Sequence, residues 1–535
     1  MKRFFQLLSV VLLALILPAP AVLAQSGGGT QLFLPIVNRP PDGPQLKWAY
    51  SGCFSSWCQT GWYSSPAVVN IDGDAQAEII ASTYDLFALD GVSGAEQWRY
   101  EDSPGGRTWP GIALANLSGD SAPEIVIAQG GGYVTALTTG GAVLWQQQLG
   151  SSELRSLMVT DLDGNSSSPE VVAGAARSGS SNTWVLNANG VTRSGWPQVN
   201  STASGYAAGI YNTNAAAGNL NGDAALELII PTDVHYILGL KPDGSALAAN
   251  SSVYSGRGVW GLVGVWENYS VEERGWGECS LGSGRGENYR PNFAGSPATL
   301  ADVNGDGSLE IIVVGNVYDC SYDNYPSRYL GPFIFNADRT RFNSGGYDWR
   351  STPVDTGAPL NEDYNEIENV QPNPVVVDLD GDGNKEIIYP SYDGRMHAFW
   401  LDKTEHGSWP FDVAMPQGIE YASEPVVADL DNNGLAEVIF ATWPEKGSGR
   451  SGHLVVLSAG GSLLYRVELP AARGADWSGG LAAPTLANVD LDADLEVVVS
   501  TVHAGVAVYD LPGSAGARIL WQTGRGSYSR QGLAE

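Results

Sequence analysis

The stretch VVVDLDGDGNKEIIYP, Val375 to Pro390, sets Asp378, Asp380 and Asp382 at alternate positions, adds Glu386, and brackets the acids with apolar runs. Carboxylates packed this closely repel one another, so a turn of this sequence calls for a cation among them. The side-chain oxygens of Asp378, Asp380, Asp382 and Glu386, with the backbone carbonyl of Asn384, can converge on one ion. Alternate positions share one side of a tight loop, and Gly381 and Gly383 let the backbone curl. A set of hard oxygen ligands without His or Cys selects Ca²⁺, whereas Mg²⁺ asks for a smaller, more hydrated octahedron.

Seven relatives of this loop recur along the 535 residues. They are NIDGDAQAEII from Asn70, NLSGDSAPEIV from Asn116, DLDGNSSSPEVV from Asp161, NLNGDAALELI from Asn219, DVNGDGSLEII from Asp302, DLDNNGLAEVI from Asp429 and NVDLDADLEVV from Asn488. Self-similarity at a period of tens of residues marks a repeat architecture. Each unit has one grammar: an apolar strand enters the acidic loop, a second leaves it, a third follows, and a fourth carries an aromatic, as in AEQWRY from Ala95. Short strands with turn signals at regular intervals predict antiparallel sheets, and a four-stranded sheet repeated eight times predicts an all-β fold, a β-propeller. Eight blades are expected, with seven plus one degenerate unit as the alternative. The last unit supplies APTLANV, LEVVVST, GVAVYDL and RILWQT as its four strands, and LKWAY, Leu46 to Tyr50, is a spare fourth strand placed to close the ring.

A strand–DxDGDGxxE–strand unit repeated in this way resembles the FG-GAP/VCBS repeat family, which includes the propeller of integrin α-subunits. The likeness covers nearly all of the chain after its first residues. It implies a calcium-stabilised propeller with metal in the hairpins joining first and second strands. Carried over position by position, it names Asp302, Asn304, Asp306, Ser308 and Glu310, then Asp429, Asp431, Asn433, Leu435 (by its carbonyl) and Glu437. It also names Asn488, Asp490, Asp492, Asp494 and Glu496, with Leu491 and Ala493 in place of the usual glycines, and Asn70, Asp72, Asp74, Gln76 and Glu78. In the third loop Asp161, Asp163 and Asn165 match, while Glu170 arrives one residue late. The loops at Asn116 and Asn219 keep few carboxylates and are expected to bind ions weakly.

Charge and composition narrow the function classes. A formal charge of −30 with only 28 Lys and Arg argues against a nucleic-acid partner, since phosphate binding needs clustered cations. Lys2 and Arg3, the apolar run Phe4–Leu17 and the site Val22–Ala24 read as a secretory signal peptide over residues 1–24, so the mature chain is expected outside the cell and without a membrane span. Residues 25–45 read as a Gly/Pro-rich linker, 46–523 as the propeller with long insertions at about 243–293 and 338–372, and 524–535 as a C-terminal tail. Export makes disulfides expected; the simplest pairing of the four cysteines is Cys53 with Cys58 and Cys279 with Cys320.

A propeller alone names no activity. Strand parity puts the acidic loops on one face and most long loops on the other, where Trp260, Trp266, Trp276, Trp349, Trp409 and Trp477 are expected to receive a ligand. His235, His397, His453 and His503 fall near the starts of third strands and read as surface or strand-end residues. No pair of acids has diagnostic spacing, and no G-x-S-x-G elbow occurs. The reading is a binding module for an extracellular protein or polysaccharide; the alternative is a polysaccharide lyase or glycoside hydrolase using the aromatic face.

Overall fold

The apolar runs flanking each acidic loop pair antiparallel, and the pattern repeats around the chain. In the computed structural model Val375–Val377 lies against Glu386–Pro390 in the register Val375↔Ile388 and Val377↔Glu386, followed outward by Arg395–Phe399 and Phe411–Asp412. The structure describes residues 43–534 apart from 52–62, 83, 102–105, 166, 179–180, 199–208, 211–214, 233–236, 255–257, 263–288, 294, 320–326, 351, 354–356, 358, 361–369 and 415–417. Eight such sheets form an eight-bladed β-propeller, so every repeat builds its own blade and the seven-bladed alternative falls away. In blades 3 and 4 the outer strand shrinks to single bridges, Thr183↔Gln198 and Leu240↔Ala246.

Side-chain parity explains the packing. Successive residues of a strand face opposite sides of the sheet, and here each side meets a neighbouring blade. Val171 and Ala173 of blade 3 pack with Val126 and Ala136 of blade 2, whereas Val172 and Val185 pack with Leu228 and Ile230 of blade 4. Inner strands are therefore buried on both sides and read as continuous apolar runs, Glu124–Ala128 for instance. The fourth strands, such as Val143–Gln148, are largely exposed.

A tryptophan at the outer edge of the blade, in or near the fourth strand or its equivalent, locks successive blades together. The indole Nε1–H of Trp145 donates to Ala188 O at 2.8 Å, Trp196 to Pro242 O at 2.9 Å and Trp260 to Ala337 O at 3.0 Å. Trp349 reaches Leu401 O, and Trp409 reaches Ala459 O, each at 2.9 Å. Each acceptor lies in or beside the turn between third and fourth strands of the next blade. In blade 7 the turn has a glycine under the ring, where a Cβ at Gly461 (φ +79°) would stand 2.9 Å from the Trp409 indole. In blades 5 and 6 Arg339 (φ 74°) and Lys403 (φ 68°) take the same left-handed place.

The ring closes as LKWAY suggested. Gln45–Tyr50 pairs antiparallel with Gly505–Leu511 as the outer strand of blade 8, and Trp48 Nε1–H reaches Gly91 O of blade 1 at 3.0 Å. RILWQT does not take that place, a correction to the sequence reading. Arg518–Trp521 pairs instead with the innermost strand of blade 7, Val426–Asp429, on its axial side. An N-terminal strand bearing Trp48 reproduces the seam used by the other blades, which leaves the C-terminal residues for the axis.

Gln522 and Thr523, with residues 524–534 of the expected C-terminal tail, run around that axis. Gln522 O accepts from Leu486 N of blade 8, Tyr528 O from Leu114 N of blade 2, Ser529 O from Val159 N of blade 3, Gln531 O from Ala217 N of blade 4, and Gly532 O from Leu300 N of blade 5. Arg530 is wholly buried, and its guanidinium donates to Ile112 O (2.7 Å), Ser65 O (3.1 Å), Pro66 O (3.2 Å), Gly524 O and Thr523 Oγ1. One side chain thus gathers carbonyls from blades 1 and 2 and from the tail itself. Arg530→Met, which strands those acceptors, is expected to lower unfolding free energy by about 3–5 kcal/mol in urea denaturation. Trp409→Phe should cost about 1–2 kcal/mol in the same assay, for the lost Ala459 hydrogen bond and its packing.

Candidate metal centres

One interaction occurs in all eight loops. The glutamate opening the second strand turns back and accepts the backbone N–H just after the first loop residue: Ile71→Glu78, Leu117→Glu124, Leu162→Glu170, Leu220→Glu227, Val303→Glu310, Leu379→Glu386, Leu430→Glu437 and Val489→Glu496, at 2.6–3.1 Å. All eight glutamates are buried. Glu170 plays the common part despite its late position, because a turn closed by Ser168 N–H to Asn165 O absorbs the extra residue.

Burying a carboxylate beside other carboxylates is unfavourable without a counter-charge, and the blades meet this need in different ways. In blade 8 the counter-charge is a side chain. Lys47 of the closing strand inserts its ammonium between Asp490 and Glu496 (2.8 Å), with Asp492 at 3.8 Å. Burial alone would lower the Lys47 pKa, but hydrogen bonds to Asp490 and Glu496 outweigh it and raise it. In blade 3 Arg193 bonds Glu170 and, at 2.9 Å, Asp163. In blade 4 the Asn221 amide donates to Glu227 Oε1 at 2.6 Å.

The first loop residue divides the loops again. Where it is Asn, its Nδ2 staples a carbonyl across the loop, Asn70 to Asp74 O at 2.6 Å and Asn488 to Asp492 O at 2.7 Å, with Asn116 and Asn219 bonding Asp120 O and Asp223 O alike. In three of the four loops where it is Asp, those of blades 5 to 7, loop N–H groups wrap both carboxylate oxygens, whereas Asp161 of blade 3 keeps Oδ1 without a partner. Asp302 accepts from Asp306 and Gly307, Asp378 from Gly381 and Gly383, and Asp429 from Asn433 and Gly434. Gly381 and Gly383 have φ of 76° and 91°, as the curl requires, and Asn432 takes the left-handed place of Gly381 in blade 7.

Carboxylate oxygens of Asp378, Asp380 and Glu386 come within 4.8 Å of one another, as do those of Asp429, Asp431 and Glu437 and of Asp72, Asp74 and Glu78. These clusters could hold metal ions. Asp161, Asp163 and Glu170, and Asp490, Asp492 and Glu496, converge equally well but already enclose Arg193 and Lys47. Burial, then repulsion from the neighbouring aspartates, pushes Glu386 up to about 9 and Glu310 and Glu437 up to about 7. Glu386 is fully buried, and its Oε1 has no hydrogen-bond partner. Trp400 Nε1–H adds a bond to Asp380 Oδ2 at 2.9 Å. Asn304, Asp306 and Ser308, Asp382 and Asn384, Asn433 and Leu435, Gln76, Asn165 and Asp494 all lie in these same loops.

The expected ligand-binding aromatics are placed otherwise. Trp260 and Trp349 are fully buried, Trp409 nearly so, and all three are seam residues on the acidic-loop side, so an exposed aromatic platform is not what they form. Outer-strand position was the signal: an aromatic there packs against the next blade. Trp477 is also buried, edge-on to His503 at 5.1 Å. Trp266 and Trp276 lie outside the described residues, as do Cys53, Cys58, Cys279 and Cys320 with their expected pairing, and His235.

His397 is likewise no surface residue. It is buried beside the near-parallel rings of Tyr389 and Phe399, with Nε2 3.2 Å from Asp393 and Nδ1 3.1 Å from Glu405. Burial would lower its pKa, but those two carboxylates outweigh burial and raise it to about 9. Its folded pKa thus exceeds the ordinary 6.5, so the stabilisation is full below about pH 6.5 and lost as pH rises through 9. We expect His397 to contribute about 3 kcal/mol that disappears between pH 6.5 and 9.5, read in pH-dependent urea denaturation as the difference in slope between wild type and His397→Gln, the buried glutamates contributing equally to both.

The sequence from residue 378 to 440 matches the model of the FG-GAP-like repeat. No curated protein matches the sequence. Among solved structures, the exotype rhamnogalacturonan lyase YesX aligns over 92% of this chain and 80% of its own, with 13% identity and a TM-score of 0.47. BamB from Moraxella catarrhalis aligns over 84% and 99%, with 15% identity and a TM-score of 0.42. The computationally designed protein Ika8 aligns over 87% and 99%, with 11% identity and a TM-score of 0.43.

Proposed function

We propose that this chain, an eight-bladed propeller carrying an FG-GAP-like repeat, is a secreted binding module for a protein or glycan ligand whose disc is stabilised by calcium in a subset of its acidic loops. The observation that carries the metal reading is the Glu386 carboxylate, fully buried among Asp378 and Asp380 with Oε1 unpartnered. An ion there supplies the missing charge, and the all-oxygen donor set favours Ca²⁺. Blades 5, 6 and 7, with Asp at the first position, are the strongest sites, and blade 1 is the fourth. Blades 3 and 8 carry their own cation, blade 2 has Ser118 where blade 1 has Asp72, and in blade 4 the Asn221 amide already bonds Glu227. Each site draws its ligands from one hairpin, so its ion acts on stability and leaves recognition to other surfaces.

The apolar run at residues 4–17 and the small-residue site at 22–24 support export, and among the described residues no helix is long and apolar enough to cross a membrane. Metal analysis of purified protein by mass spectrometry is expected to recover about three or four calcium ions per chain, and exhaustive EDTA dialysis should lower the melting temperature by several degrees. Lys47→Met should destabilise the chelated protein, and added calcium should restore most of the loss by entering the vacated blade 8 loop. Eight ions on the wild type, or a melting temperature indifferent to chelation, would refute this reading.

A further inference from the structure

At the end of the inner strands opposite the acidic loops, the axis opens into a funnel. Its wall is formed by residues just before those strands, among them Ser65, Gly111, Asn373 and Glu424, and its floor by Arg525 and Arg530 of the axial segment. The free volume of the funnel is about 30 Å³, room for the three non-hydrogen atoms of a carboxylate, with the rest of a ligand extending toward the open end.

Among the described residues the charges there do not balance. Arg525, Arg530 and Glu424 are 3%, 0% and 4% exposed, so two guanidiniums and one carboxylate leave a net positive charge in a buried place. Buried charge without a partner is unfavourable, and an anion at the floor would relieve it. The arginines are also held at φ of 66° and 60°, a left-handed conformation that non-glycine residues keep only where their surroundings impose it.

Two buried polar atoms in the funnel lack partners. Arg525 spends Nη1 on Thr299 Oγ1 and Nη2 on Ala298 O, leaving Nε–H without an acceptor. Asn373, 6% exposed, donates Nδ2–H to Glu424 Oε2 at 2.6 Å. A carboxylate cannot donate back, which fixes the amide orientation and leaves Oδ1 as an acceptor without a donor. Glu424 Oε1 is already engaged by Trp521 Nε1–H (3.0 Å) and Arg525 N–H (2.6 Å). What is missing is therefore an anionic acceptor for Arg525 and a hydroxyl donor for Asn373.

We propose that the axial funnel is a binding site for an α-hydroxy-carboxylate, with its carboxylate on Arg525 Nε–H and its hydroxyl donating to Asn373 Oδ1. That group occurs on small free acids, and a uronate sugar presents a similar carboxylate beside a ring of hydroxyls. The site goes beyond the calcium reading and is independent of it, because the acidic loops lie at the other end of the strands.

Calorimetric titration of the calcium-loaded full chain at constant ionic strength, with chloride as balance, tests it. Glycolate should bind about 10-fold more tightly than acetate, which lacks the hydroxyl. Asn373→Ala should bring glycolate down to the acetate level while acetate binding persists. Arg525→Gln should abolish both, and should it fail to fold, the glycolate–acetate comparison on wild type and Asn373→Ala decides alone. Glucuronate separates the sources: heat with glucuronate extends the site to sugar-borne carboxylates, and heat with glycolate alone confines it to free acids, the shared chemistry standing in either case. Glycolate binding no tighter than acetate, or neither exceeding chloride, overturns the proposal.

Discussion

The disc depends on a buried glutamate returning to a backbone N–H at the mouth of each acidic loop. That bond fixes where the first strand stops and the second begins, and so sets the register of every blade. It also creates an electrostatic difficulty eight times over, because each glutamate is desolvated beside further carboxylates or amides. The differences among blades are different answers to this one problem. An ammonium, a guanidinium or a carboxamide resolves it internally in blades 8, 3 and 4, and the Asp-first loops of blades 5 to 7 wrap N–H groups about their aspartates but leave Glu386 short of a counter-charge.

The placement of the internal cations follows from the ring's construction. Blade 8 is assembled from two ends of the chain, and Lys47 comes from the end that arrives from outside the repeat. The same strand therefore contributes the hydrogen-bond ladder, the Trp48 seam and the charge for the loop beneath it. Closure of the ring is then secured without reliance on an external ion. Arg193 serves blade 3 from the segment after its third strand, where a reduced outer strand leaves space for a long side chain.

Much of this was legible in the sequence, and the reasons are physical. The repeat of acids at fixed spacing between apolar runs gave blade number, strand order and the loop positions, since carboxylate spacing and strand periodicity are both local properties. LKWAY could be recognised as a closing strand because it had no partner in its own repeat. The roles of Lys47 and Arg193 were not readable, because each depends on where the fold carries a long side chain relative to a loop remote in the chain. The tryptophans were misjudged for the same reason: a residue's distance from the next blade is set by ring geometry, which chain order does not show. RILWQT follows the third strand of its unit as a fourth strand should, so two candidate strands compete for one place, and the N-terminal strand takes it.

The axial segment also bears on how the molecule is made. Blades 1 to 7 can each zip up as they leave the ribosome, but the innermost N–H groups of Leu114, Val159, Ala217, Leu300 and Leu486 find their acceptors only in residues 522–532. Until that stretch emerges, the nascent ring is an arc with an unstitched inner rim. Translation order thus makes stitching the last act of assembly, and a ribosome stalled before residue 518 would hold a chain whose blades are formed but whose hub is still missing.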